Sequence, residues 1–83
     1  MKKQSNAVNI KNQLQEKTQA IGLGTPVYET QDSGKMGAER FNAKVFLLNK
    51  LRGAGQGKTK QEAECNAAQM ALDTIQNLKS ESL

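Results

Sequence analysis

Gly53-Ala54-Gly55-Gln56-Gly57-Lys58-Thr59-Lys60-Gln61-Glu62-Ala63-Glu64 is the stretch on which the fold turns. Its glycines let the backbone turn sharply, and from Thr59 onward the pattern becomes helical. Thr59 and Glu62 stand at the spacing of a capping box, with the hydroxyl reaching the N3 amide and the carboxylate reaching back to the cap amide. Ala63, Ala67, Met70, Ala71, Ile75 and Leu78 follow as one buried stripe. The alanines among them favour helix and permit a close approach to a sheet. A helix starting directly after the glycines presents free N–H groups and a partial positive charge. Lys58 and Lys60 flank that start, so the segment reads as a phosphate-binding helix end; a plain, well-capped strand-to-helix connection is the other reading.

The same stretch imitates a nucleotide-binding P-loop but is not one. That motif needs a glycine five residues before Gly57-Lys58-Thr59, and Arg52 stands there. It also needs a parallel sheet and a second acidic motif, for which 83 residues leave no room.

Upstream, Leu51 to Gly55 reads as a short third strand and Asn49-Lys50 as the tight turn before it, since Asn tolerates positive φ. Phe41, Ala43, Val45 and Leu47 alternate with Asn42, Lys44, Phe46 and Leu48, the signature of a second strand with one apolar face. Asp32 to Gly37 is a loop by composition, and Pro26 to Gln31 a first strand after a breaker. Ile10, Leu14, Thr18 and Ile21 form the stripe of a first helix, capped by Asn9 and ended by Gly22 in a left-handed conformation. Residues 1–8 read as a flexible tail, 9–78 as one domain and 79–83 as a frayed end.

Composition narrows the function. The chain of 83 residues has net charge +4. Arg40, Lys44, Lys50, Arg52, Lys58 and Lys60 occupy a segment with no acid from Arg40 to Gln61. Such one-sided charge suits a polyanion, although a solvated basic face has the same composition. Three aromatic rings, Tyr28, Phe41 and Phe46, are few for a protein that stacks single-stranded bases. The absence of histidine removes most acid–base machinery and the commonest metal ligand. Glu62, Glu64 and Asp73 form no carboxylate cluster beyond their helical spacing. The expectation is no enzyme, no metal and no cofactor. Cys65 is alone, which makes a reducing, cytoplasmic setting the default. No apolar run is long enough to span a membrane.

Helix, three strands and then Gly53 to Glu64 running into Ala67-Ala68-Gln69-Met70-Ala71-Leu72 resembles the double-stranded RNA-binding domain family. Leu14-Gln15-Glu16, Pro26-Val27-Tyr28-Glu29, Gly34 and Phe41 fall at that family's spacing, and the likeness covers roughly residues 9–78. From Gly34 to Leu72 the chain is most similar to the terminal domain of bacterial ribonuclease III. The resemblance implies an α+β fold, α-β-β-β-α, with a three-stranded antiparallel sheet and two helices packed on one face. It implies binding of double-stranded RNA, largely independent of base sequence, as a stand-alone module or the targeting domain of a ribonuclease III-like protein. In such domains the first helix enters a minor groove, the loop between strands 1 and 2 enters the next, and the second helix meets the phosphates between, over about 16 base pairs.

Transferred to this chain, the RNA-binding residues are Asn12, Gln15 and Glu16 on helix 1, Lys35 and Met36 in the loop, and Lys58, Lys60 and Gln61 at helix 2. A carboxylate accepts from a ribose 2′-OH, which DNA lacks, and Asn and Gln donate or accept. Two departures follow. The family's Gly-Pro-x-His loop is Gly34-Lys35-Met36-Gly37 here, so the histidine contact is absent. The family's three helix-2 lysines fall on Lys60, Gln61 and Glu64, which implies weaker than average binding. The simple charge expectation is that Glu64 repels phosphate and that Glu64→Lys strengthens binding. A protein–protein or homodimerisation module is the alternative, favoured if Phe46 and Leu48 are exposed.

Overall fold

The computed structural model describes residues 6–81, with side chains over residues 10–76. The order is α1 (Asn6–Ala20), β1 (Val27–Asp32), β2 (Phe41–Leu47), β3 (Lys50–Gly57) and α2 (Lys60–Glu81), with a short 3-10 turn at Gly37–Glu39. The strands form one antiparallel sheet in the order β1-β2-β3. This is the α-β-β-β-α architecture the sequence implies.

The alternation in β2 sorts its side chains as expected: Ala43, Val45 and Leu47 are buried and Phe41 half-buried. Lys44 on the opposite face is exposed, whereas Asn42 and Phe46 are half-buried. The β2–β3 turn is centred on Leu48 and Asn49, at φ 52° and 66°, one residue earlier than the expected Asn49-Lys50. Two consecutive positive φ values match the right-handed twist of a two-residue hairpin, and Asn49 supplies one of them cheaply. β1 starts at Val27 rather than at Pro26, which is buried just ahead of it.

The end of β3 is where the sequence reading stopped short. β3 runs two residues beyond the expected Gly55, through Gly57, so Gly57 joins Gly53 and Gly55 as a strand residue. Spaced by two, they share the face under α2. A Cβ on Gly55 would lie 2.5 Å from the Ala67 amide nitrogen and 2.8 Å from the Ala63 carbonyl oxygen. One on Gly57 would lie 2.6 Å from the Ala63 nitrogen, and one on Gly53 would collide with the Ala67 carbonyl. Real Cβ atoms do not approach this closely, so α2 rests its backbone directly on the strand.

Facing those glycines, Ala63, Ala67 and Ala71 are fully buried. The buried arc of α2 continues through Ala68, Leu72 and Ile75, and Met70 falls outside it, 51% exposed. The arc widens toward Leu72 because α1 packs there: Leu72 and Gln76 line a groove with Gln13, Glu16 and Lys17. Leu78 lies outside the side chains described.

α1 begins at Asn6, so Asn9 is inside the helix instead of capping it. Leu14 and Thr18 are fully buried and Ile10 half-buried, but Ile21 lies past the helix end and is exposed. Leu23 packs against the core in its place. Gly22 takes φ 85°, and the Leu23 amide donates to the Thr18 carbonyl at 2.7 Å while the Gly22 amide donates to Gln19 at 3.3 Å. That pair of bonds closes the helix in a Schellman arrangement. Thr18 holds a core position because its hydroxyl donates to the Gly24 carbonyl at 2.7 Å. Of the expected tail, residues 1–5 lie outside those described, and so do 82 and 83 at the other end; between them the helices reach Asn6 and Glu81.

Candidate nucleic-acid interface

Strand register places two candidate segments at one end of the sheet. Asp32, Phe41 and Gly57 are paired across β1, β2 and β3, so the β1–β2 loop leaves the sheet beside the start of α2. The Lys60 charge helps lower both the Asp32 and the Glu64 carboxyl pKa, consistent with that closeness.

The start of α2 is built by its cap. The Thr59 hydroxyl accepts from the Glu62 amide at 3.1 Å. The Glu62 carboxylate accepts from the Lys58 amide at 2.7 Å, one residue before the cap amide that a regular capping box would use. Lys58, Lys60 and Gln61 are exposed around this helix end. Among the described residues neither lysine has an acid within ion-pair distance, whereas Lys11, Lys35 and Arg40 each do.

The β1–β2 loop holds itself in shape. Asp32 accepts from the Gly34 amide at 2.9 Å and from the Arg40 guanidinium at 3.2 Å. The Gly34 bond first, then Arg40, hold its carboxyl below the usual range. The Ser33 hydroxyl donates to the Glu39 carbonyl at 2.8 Å, and the Ser33 amide donates to the Arg40 carbonyl at 2.7 Å. Lys35 sits 3.7 Å from Glu39 in an exposed pair. Met36 projects from the tip, 91% exposed. Arg40, counted in the basic segment, is committed to Asp32 and to the Phe41 ring, 5.1 Å away.

On α1, Asn12, Gln15 and Glu16 are exposed, with Asn12 and Glu16 one turn apart. α1 is joined to the rest of the surface by a contact that sequence reasoning missed. Lys11 Nζ lies 2.6 Å from Glu64 Oε1, and the Thr30 hydroxyl donates to Glu64 Oε2 at 2.8 Å. Lys11 also sits 4.7 Å over the Tyr28 ring. Burial alone would raise the Glu64 carboxyl pKa; the hydrogen bonds from Lys11 and Thr30 and the charges of Lys11 and Lys60 outweigh it, and the net shift is downward. Glu64 is therefore an ionised, paired carboxylate, and the picture of a bare acid facing phosphate is replaced. Its charge also helps burial push the Tyr28 hydroxyl up to about 12.

On the outer sheet face Val27, Phe46 and Leu51 are in register. Val27 and Leu51 are exposed and Phe46 half-buried, and Leu48 is 65% exposed in the adjoining turn. Among the described residues no three metal-capable side chains cluster, and no helix is long and apolar enough to cross a membrane.

Residues 10–75 match the family model of the double-stranded RNA binding motif. The chain belongs to that family. Its double-stranded RNA-binding fold is shared with a solved structure of Arabidopsis HYL1, at TM-score 0.66 and 31% identity over 82% of this chain and 96% of that one. The second such domain of DRB4 matches at TM-score 0.62 and 38% identity, over 81% of this chain and 94% of that one. Among curated proteins, Ribonuclease 3 of Geobacillus thermodenitrificans is 42% identical over 86% of this chain and 29% of its own length. Ribonuclease 3 of Mycolicibacterium smegmatis is 42% identical over 78% and 28%. The domain thus spans less than a third of the ribonucleases it matches.

Proposed function

We propose that this double-stranded RNA-binding domain grips an A-form duplex at three places. Asn12, Gln15 and Glu16 meet 2′-hydroxyls in one minor groove. Lys35 and Met36 meet the next groove. Lys58, Lys60 and Gln61 hold the phosphates between them. The observation that carries this reading is the start of α2, an exposed, capped helix end flanked by two lysines that have no acid within ion-pair distance among the described residues. The self-bonded loop supports it, because Met36 is presented at its tip next to Gly37, the position on which the family's histidine falls. The domain does no chemistry itself and serves to bring duplex RNA to whatever it is joined to, in a reducing compartment such as the cytoplasm.

If each lysine neutralises one phosphate, Lys58→Ala with Lys60→Ala lowers the slope of log K against log salt by roughly 1.8, at about 0.9 per contact. Duplex-RNA titrations over a salt series, with helicity checked by circular dichroism, measure this. An unchanged slope in the folded variant moves the phosphate site elsewhere. The apolar row on the outer sheet face supports docking of a protein partner or second copy as an additional use. Sedimentation over a concentration range tests self-association, and a monomer throughout contradicts it.

A further inference from the structure

The acid at position 64 is the feature that charge reasoning explains least well, and its surroundings give it a different role. We infer that Glu64 is a positioning residue for duplex recognition: by holding Lys11 and Thr30 it fixes α1 against the start of α2, so that groove-reading and phosphate-holding side chains are presented at one spacing. The inference rests on the proposed mode of RNA binding and extends it to a residue that touches no RNA.

Three elements converge on this one carboxylate. Oε1 takes Lys11 of α1, Oε2 takes Thr30 of β1, and the acid itself belongs to α2. Its side chain is only 21% exposed and that of Lys11 33%, so the pair is less screened than the surface pairs in the loop. Lys11 adjoins Asn12 in sequence, and Glu64 lies one helical turn beyond Lys60. The link therefore runs between neighbours of the two sets of contact residues. Further along α1, Leu14 and Thr18 are buried in the core. Apolar packing of that kind is non-directional; an ion pair with a hydroxyl on its other oxygen has a preferred geometry.

An A-form duplex sets the distance from a minor groove to the next run of phosphates, and a domain that meets both has to match it. A surface held at that spacing before binding avoids the entropy cost of ordering it afterwards. A lysine at position 64 would face Lys11 and leave the Thr30 hydroxyl without its acceptor. It would tilt α1 instead of adding a useful phosphate contact.

The test compares Glu64→Lys, Lys11→Glu and the double swap, the last having the net charge of the original chain. Duplex-RNA affinity is titrated at one salt concentration, and the orientation of α1 relative to α2 is read from amide residual dipolar couplings without RNA. Glu64→Lys is expected to weaken binding by about tenfold despite its added positive charge, with the α1 couplings altered, and the swap is expected to restore both largely. Tighter binding by Glu64→Lys, or a swap no better than the single variants, overturns the inference. Should Glu64→Lys fail to fold, Glu64→Gln supplies the reading: altered α1 couplings with weaker binding support it, and unchanged couplings overturn it. Failure of the RNA-binding mode itself would show differently, as an original chain that does not prefer RNA to DNA while the couplings still respond.

Discussion

α2 makes two unlike contacts with the rest of the molecule. Against β3 the surface is closely packed and nearly without side chains, with Gly53, Gly55 and Gly57 under Ala63, Ala67 and Ala71. Against α1 and β1, near its start, it is polar, with Glu64 between Lys11 and Thr30, and Lys11 over the Tyr28 ring. The first contact admits one geometry because backbone meets backbone and nothing can give. The second sets an angle through charge and hydrogen bonds, and pH or a single substitution can loosen it. Steric fit builds the scaffold, and polar contacts adjust what the scaffold presents.

The largest effect comes from breaking the steric side. Gly55→Ala places a methyl 2.5 Å from the Ala67 nitrogen. Relief requires moving α2 bodily, so the cost sits at or above the usual upper range for overpacking, ~3 kcal/mol. In a domain of this size that is a fall in Tm of roughly 10–20 °C, measurable by thermal denaturation. A loss near zero would mean that the helix does not rest on the strand.

The third strand was read as ending at Gly55 and not at Gly57, because hydrophobic periodicity cannot register residues without a side chain. β2 was legible for the converse reason: Ala43, Val45 and Leu47 write the sheet period in side chains. The pairing that would have carried β3 on to Gly57 is glycine every second residue against alanine every fourth. The Thr59–Glu62 cap was legible because it is local, and its one deviation, the carboxylate on Lys58 instead of Thr59, lies below the resolution of a motif. Lys11 and Glu64 stand 53 residues apart and nothing local connects them. Without that link Glu64 looked like a fault in the phosphate site. Asn12 and Glu16 were named from the family resemblance, and Lys58 and Lys60 from the helix start that follows the glycines; all four are exposed.

A smaller effect comes from titrating the polar side. The folded-state pKa of Glu64 is below its ordinary value. Its contribution to stability is therefore complete above the unfolded-state pKa, near 4.3, and is lost as pH falls through the folded-state value. Melting temperature should drop from about pH 5 downward in the original chain and less steeply in Glu64→Gln. Parallel curves for the two would mean that the carboxylate is not coupled to folding.

The smallest effect sharpens the comparison at Tyr28. Its buried hydroxyl has no hydrogen-bond partner among the described residues, although its ring lies beneath Lys11. Tyr28→Phe removes an unsatisfied polar atom and keeps the ring, so stability should be unchanged or rise by up to ~1 kcal/mol. A clear loss in chemical denaturation would assign that hydroxyl a partner.

Both contacts serve a surface that recognises duplex RNA, and one measurement addresses that most directly. Matched RNA and DNA duplexes of the same sequence are titrated with the domain at several salt concentrations. The phosphate contacts proposed for Lys58 and Lys60 would be common to both duplexes, while the 2′-hydroxyls proposed to meet Asn12, Gln15 and Glu16 exist only in RNA. The account predicts tighter binding to RNA at every salt concentration, with little change when the base sequence is altered. Equal affinity for the two duplexes across the series would contradict it.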